Sequence, residues 1–169
     1  NLIFNDYDGR QHVARIYSSG GQLVRTLPYP VGAVSPDGRW GLSYSFERCQ
    51  IYSPGYGYAN GLDRELGIEK PAGHGIQVIE LASGLVRQLF SVADIADYQP
   101  DPAMKQGFHY LTHCQFSPSS QRFVFFHRAI TDFNYLRTRM ISCGLEGDDL
   151  FVFPTAGMVA AEGSWSAGA

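Results

Sequence analysis

The stretch that decides the fold is His109-Tyr-Leu-Thr-His113-Cys-Gln-Phe-Ser117-Pro-Ser-Ser-Gln-Arg122-Phe-Val-Phe-Phe-His127-Arg128, continued through Arg137-Thr-Arg139-Met to Leu150-Phe-Val152. It reads as four short strands punctuated by turns. Residues 111–116 form the first, and Ser117-Pro-Ser-Ser is a turn with proline at its second position, where the fixed φ of the ring fits. Residues 122–127 follow, an apolar and aromatic run too short for a helix and rich in strand formers. Residues 138–142 and 150–153 flank Leu145-Glu-Gly-Asp-Asp149, which has hairpin-turn composition. His109, His113, His127, Arg128, Arg137 and Arg139 all fall within this unit.

The unit repeats along the chain. Residues 12–17 and 22–27 read as strand, turn and strand, and residues 76–81 and 85–90 read the same way, with Leu23-Val-Arg-Thr-Leu27 echoed by Leu85-Val-Arg-Gln-Leu89. Residues 140–153 are a third copy, and the turn glycines Gly21, Gly84 and Gly147 are 63 residues apart each time. Matching inner pairs precede the last two copies, with Ser-Pro turns at Ser35 and Ser117 spaced by 82 residues. Repeats on this scale predict an all-β fold of antiparallel four-stranded blades, as in a β-propeller, where about 40 residues make one blade. The excess belongs in insertions, which fall at residues 47–73 and 91–107. The expected layout is one partial propeller domain over residues 1–169. A half blade (1–30) comes first, then one blade over 31–90 and another over 108–154, and the start of a further blade at 155–169. That is about three blades, fewer than a closed ring needs, so the chain reads as a fragment of something longer or as a self-associating piece. Helix is expected only in the insertions, with a turn or two near residues 92–98.

Composition sets the outer limits. Apolar residues make up 44% of the chain and charged residues 17%, with 11 Phe and 10 Tyr, which excludes a disordered chain. The net charge is −3 without a basic run, so a nucleic-acid partner has no electrostatic footprint. No apolar run approaches the roughly 20 residues that span a bilayer, so no membrane role is read. Cys49, Cys114 and Cys143 are an odd number without CxxC spacing, which argues against zinc and against a disulfide framework. Cys114 and Cys143 lie in strand patterns as small hydrophobes, and a reducing, cytoplasmic setting fits them.

The third unit carries a resemblance. Leu111-Thr-His113-Cys-Gln-Phe-Ser-Pro118, Phe125-Phe-His127-Arg128, Arg137-Thr-Arg139-Met140 and Leu145-Glu-Gly-Asp-Asp-Leu150 resemble the middle of an oligogalacturonate lyase. The similarity is specific over about residues 76–150, and the Ser-Pro-Asp-Gly turns are shared with TolB-like propellers. The resemblance implies a seven-bladed propeller that cleaves short pectin fragments by β-elimination with a divalent metal, typically manganese. It places the general base at His113, on an inner strand at the mouth of the central channel. It also makes His127, Arg128, Arg137 and Arg139 the groups that hold a uronate oligosaccharide. Elimination needs a base for the proton alpha to the carboxylate and cations for the enolate-like charge that develops.

The chain also departs from the family. Ala160 and Ala161 stand where a metal-binding histidine is expected, and His74-Gly75 stands where an arginine is expected. No metal ligand is therefore assigned in this chain, and manganese is implied only for the full-length family. Little turnover is expected of these 169 residues alone. The ordinary alternatives stay open: His113 as a channel-lining histidine, His127 as a strand-end polar residue, Arg137 and Arg139 as a solvated strand face. His109 and His113, four apart, share a face only if no bulge intervenes. Tyr52-Ser-Pro-Gly-Tyr56-Gly-Tyr58 has the composition of a sugar-stacking platform, and equally of a plain loop. The second functional class is a non-catalytic propeller module that binds a saccharide or a protein.

Overall fold

The computed structural model describes residues 1–131, 135–155 and 165–166. Its order is β1 (Leu2–Tyr7), β2 (His12–Tyr17), β3 (Leu23–Leu27), β4 (Ala33–Val34), β5 (Trp40–Ser43), α1 (Phe46–Tyr52), β6 (Gly75–Glu80), β7 (Val86–Ser91), α2 (Val92–Asp97), a 3₁₀ turn (Pro102–Met104), β8 (Phe108–Phe116), β9 (Arg122–Thr131), β10 (Tyr135–Gly144) and β11 (Phe151–Val152). The strands form three antiparallel sheets, β1-β2-β3, β4-β5-β6-β7 and β8-β9-β10-β11, each in chain order. The fold is all-β. The first sheet has three strands, because Leu2–Tyr7 pairs along its whole length with His12–Tyr17. The expected start of another blade at 155–169 lies largely outside the described residues, as do Ala160 and Ala161.

The repeat in the sequence is a repeat in backbone geometry. Gly21, Gly84 and Gly147 sit in the turns between the last two strands of the three sheets, with φ of 78°, 80° and 85°. Only glycine takes this left-handed conformation without a Cβ penalty. The Ser-Pro turns are also equivalent: Ser35 N–H donates to Trp40 O, and Ser117 N–H donates to Arg122 O. The two turns touch, since Asp37 N–H donates to Ser120 Oγ at 3.1 Å.

Two apolar layers separate the sheets. Ala14, Ile16 and Leu27 of the first sheet meet Ile79 of the second and the flanking residues Val31 and Leu81. Leu42, Ile76 and Val78 of the second meet Leu111, Phe116, Phe123, Phe125, Ile141 and Cys143 of the third, closed at one end by Val92 and Ile95 of α2. Being covered on both faces, Gly75–Ile79 is buried without alternation, which is why its sequence is continuously apolar apart from Gln77. All three cysteines are free and buried.

Both helices lie in the insertions. α2 begins with a capping box: Ser91 Oγ accepts from Asp94 N–H, and the Asp94 carboxylate accepts from Ser91 N–H. α1 starts at Ser45, whose Oγ accepts from Arg48 N–H. The strands of the third sheet are longer than their apolar runs. β8 starts at Phe108, and β9 continues through His127 and Arg128 to Thr131, because these polar residues are buried and paired instead of ending the strands. Among the described residues, no helix is long and apolar enough to cross a membrane.

Candidate functional site

His113 sits in a β-bulge. The β8–β9 register slips between Thr112 and Gln115, and His113 takes φ of 56°. A non-glycine residue in the left-handed region is strained by about 1–3 kcal/mol, and bulges redirect side chains. The half-buried imidazole stacks on Phe126 with centroids 5.3 Å apart and meets Tyr56 at 5.5 Å. Its Nδ1 lies 3.1 Å from Thr112 Oγ1.

The same bulge separates the candidate residues. Before it, His109 pairs with Ala129 and Leu111 with His127, while Tyr110 pairs with Arg128 and Thr112 with Phe126. His109, Leu111 and His127 therefore share the face toward the second sheet and α2, and Phe126 and Arg128 share the other. The guanidinium of Arg128 lies 5.3 Å from the Phe126 centroid, so Arg128 and His113 rest against one ring. Arg137 pairs with Ala129 and Arg139 with His127, which places both on the His109 face, Arg137 exposed and Arg139 buried. The five residues assigned to catalysis and substrate thus divide between two faces: His113 and Arg128 on one, His127, Arg137 and Arg139 on the other.

His127 and Arg139 are committed to the interior. Arg139 Nη1 donates to Tyr98 O at 3.1 Å and Gln99 O at 2.6 Å, and Nη2 donates to Ile95 O at 2.7 Å. It thereby satisfies carbonyls at the C-terminal end of α2, the end where helix carbonyls lack partners and a cation is favoured. Its Nε–H donates to His127 Nδ1 at 3.1 Å. That nitrogen must carry a lone pair, so the His127 proton is on Nε2, 2.8 Å from His109 Nδ1. His109 then carries its proton on Nε2, a buried atom without a hydrogen-bond acceptor among the described residues.

Burial pushes the His109 pKa down to about 4, and the charges of Lys70, Arg139 and Arg48 add to the shift. The Met104 carbonyl opposes it without reaching hydrogen-bond geometry. His127 is held well below the ordinary histidine value, first by burial and then by Arg139. Both rings are neutral at pH 7.

Arg48 is the buried cation that the sequence reading missed. It is fully buried: Nε donates to His109 O at 2.6 Å, Nη2 donates to Ile68 O at 2.7 Å, and Nη1 pairs with Asp63 Oδ2 at 3.1 Å. Asp63 Oδ1 lies 2.6 Å from His74 Nε2. One guanidinium thus pins the long insertion against β8 and α1. Its only sequence signal is a charged residue within Phe46-Glu-Arg-Cys-Gln-Ile-Tyr52, an otherwise amphipathic turn. The tyrosine run is ordered but divided: Tyr52 stacks on Phe108, Tyr56 meets His113, and Tyr58 stacks on Phe46. It forms no single platform.

A divalent metal does not fit the described residues. They contain no group of three His, Cys, Asp or Glu side chains gathered to hold one. The one close histidine pair, His109 and His127, has the Arg139 guanidinium against it, and that charge repels a cation. No family model, curated protein or solved structure matches this chain.

Proposed function

We propose that the chain is a run of three consecutive blades from a β-propeller resembling the oligogalacturonate lyases, engaging uronate oligosaccharides at His113. Its three sheets in chain order, the equivalent turns of each and the apolar layers between neighbours support the propeller reading. The observation that carries the functional reading is His113 itself, a half-buried histidine in a left-handed bulge on β8. Strain of this kind persists where the surrounding structure imposes it, and such positions cluster at ligand sites.

In elimination, the imidazole accepts the proton alpha to the uronate carboxylate. The electron pair left behind forms a carbon–carbon double bond, and the glycosidic oxygen leaves and takes up a proton. The charge that builds on the carboxylate needs a cation, and Arg128 shares the His113 face of the sheet. The interior commitment of His127 and Arg139 favours a second reading, binding without cleavage.

The test is the ultraviolet absorbance of the unsaturated uronate formed from oligogalacturonate, together with calorimetric binding, for the chain and for the longest protein that contains it. Absorbance that grows with the wild type and disappears in His113→Ala supports the lyase. Full turnover by His113→Ala removes His113 from the mechanism. Binding without absorbance selects the second reading, and neither signal overturns both.

A further inference from the structure

A cleft of about 470 Å³ opens between the first sheet, the second sheet and the long insertion, and His113 is not among the residues that line it. His12, at the start of β2, lies on its wall, and its Nδ1 is 2.6 Å from Glu47 Oε1. The insertion returns over this pair at Gly61. A Cβ there would lie 2.7 Å from Glu47 Oε1 and 2.8 Å from His12 Cε1, so glycine is needed for the backbone to pass so close. The His12 ring is flanked by Tyr58 at 5.0 Å and Tyr7 at 5.3 Å. His74 lies on the cleft as well, held through Nε2 by Asp63, which Arg48 fixes in turn.

Two histidines are therefore each anchored through one ring nitrogen to a carboxylate, with Nε2 of His12 and Nδ1 of His74 left without a hydrogen bond among the described residues. This is how proteins orient an imidazole that must meet a ligand. At the rim, Arg10 and Arg64 are exposed and make no salt bridge among the described residues. Tyr29, 42% exposed, presents a ring beside them. Two exposed guanidiniums thus stand at the rim of one concavity, with Asp8 near Arg10, while the wall carboxylate of Glu47 is already paired with His12. A guanidinium fork matches a carboxylate or a phosphate, an aromatic face suits a sugar ring, and fixed imidazoles suit hydroxyls.

We propose that this cleft binds an anionic monosaccharide, with Arg10 and Arg64 on the acidic group, Tyr29 against the ring, and His12 and His74 toward hydroxyls. The proposal does not rest on the reading of His113, which is not among the residues lining the cleft.

Calorimetric titration with glucuronate, glucose 6-phosphate, glucose and inorganic phosphate tests it. The expected result is binding of one or both anionic sugars at least tenfold tighter than glucose and than phosphate. The stronger of the two identifies the acidic group. Arg10→Gln/Arg64→Gln weakens that binding at least tenfold with an unchanged urea midpoint, because both side chains are exposed, and His113→Ala leaves it intact. Equal affinity for inorganic phosphate, no binding of any sugar, or loss of binding in His113→Ala each overturns the proposal. Oligogalacturonate binding by a wild-type chain that binds none of the monosaccharides shows that the cleft reading has failed while the His113 reading stands.

Discussion

Acidification through the histidine range is expected to loosen this fold from the inside. His109 and His127 are 1% exposed and neutral, linked in series to Arg139, and folding lowers both pKa values. The unfolded chain takes up protons near the ordinary histidine pKa of about 6.5, whereas the folded chain does not. The stabilisation from keeping these rings neutral is therefore complete above about pH 6.5 and is lost as the pH falls. Each such ring removes about 1.4 kcal/mol per pH unit, and for His109 the loss continues to about pH 4, roughly 3 kcal/mol in all. His127 is shifted in the same direction, so the loss from the two rings exceeds that from His109 alone and is a large part of a typical domain stability of about 5–15 kcal/mol. Carboxylates contribute little above about pH 5. Urea midpoints at about pH 7.5, 6 and 5 measure the effect, with the m-value checked for constancy. The double variant His109→Gln/His127→Gln should flatten the profile. Where that variant does not fold, nitrogen-detected NMR of the wild-type imidazoles reads the same quantity, and both rings should stay neutral at pH 5. Flat wild-type stability down to pH 5, or a folded-state His127 titrating near 6.5, would refute the reasoning.

Arg48→Met leaves Asp63 buried beside His74 and strips two backbone carbonyls of their donor, so a loss of about 3–5 kcal/mol is expected in urea unfolding. A loss under about 1 kcal/mol would show that the insertion is held by other contacts. His113→Gly should be more stable than His113→Ala by about 1 kcal/mol, since only the alanine carries a Cβ into φ of 56°; equal midpoints would deny the strain. The outer strands expose Leu2, Phe4 and Phe151. At about 25 cal/mol per Å², several hundred Å² of open apolar face forgo several kcal/mol. Sedimentation should therefore find the chain paired with itself or unstable without further blades, and a cooperatively unfolding monomer at micromolar concentration would overturn this.

Local patterns in the sequence determined the all-β class, the turns and the helix sites, because each depends on residues close together in the chain. The spacing of Gly21, Gly84 and Gly147 became three left-handed turns, and the paired Ser-Pro segments became two equivalent turns in contact. Ser91 and Asp94, three apart, supplied the capping box that starts α2. Tertiary structure alone decided the fate of the charged and titratable groups. Alternation along β8 cannot be followed past Thr112, because one bulge shifts the phase and separates His113 from His109. Arg139 reads in the sequence as a substrate-binding or solvated strand charge and Arg48 carries no reading at all, until the carbonyls of Ile95, Tyr98 and Gln99, and of His109 and Ile68, close around them. A backbone carbonyl is the same atom in every residue and leaves no mark in a sequence, so a cation held mainly by carbonyls is legible only once the chain has folded around it. The pair His12–Glu47, 35 residues apart, joins β2 to α1, and Asp63–His74, 11 apart, ties two points of the insertion together. Their meeting depends on how the insertion returns across the first two sheets, a long-range path that no local spacing encodes.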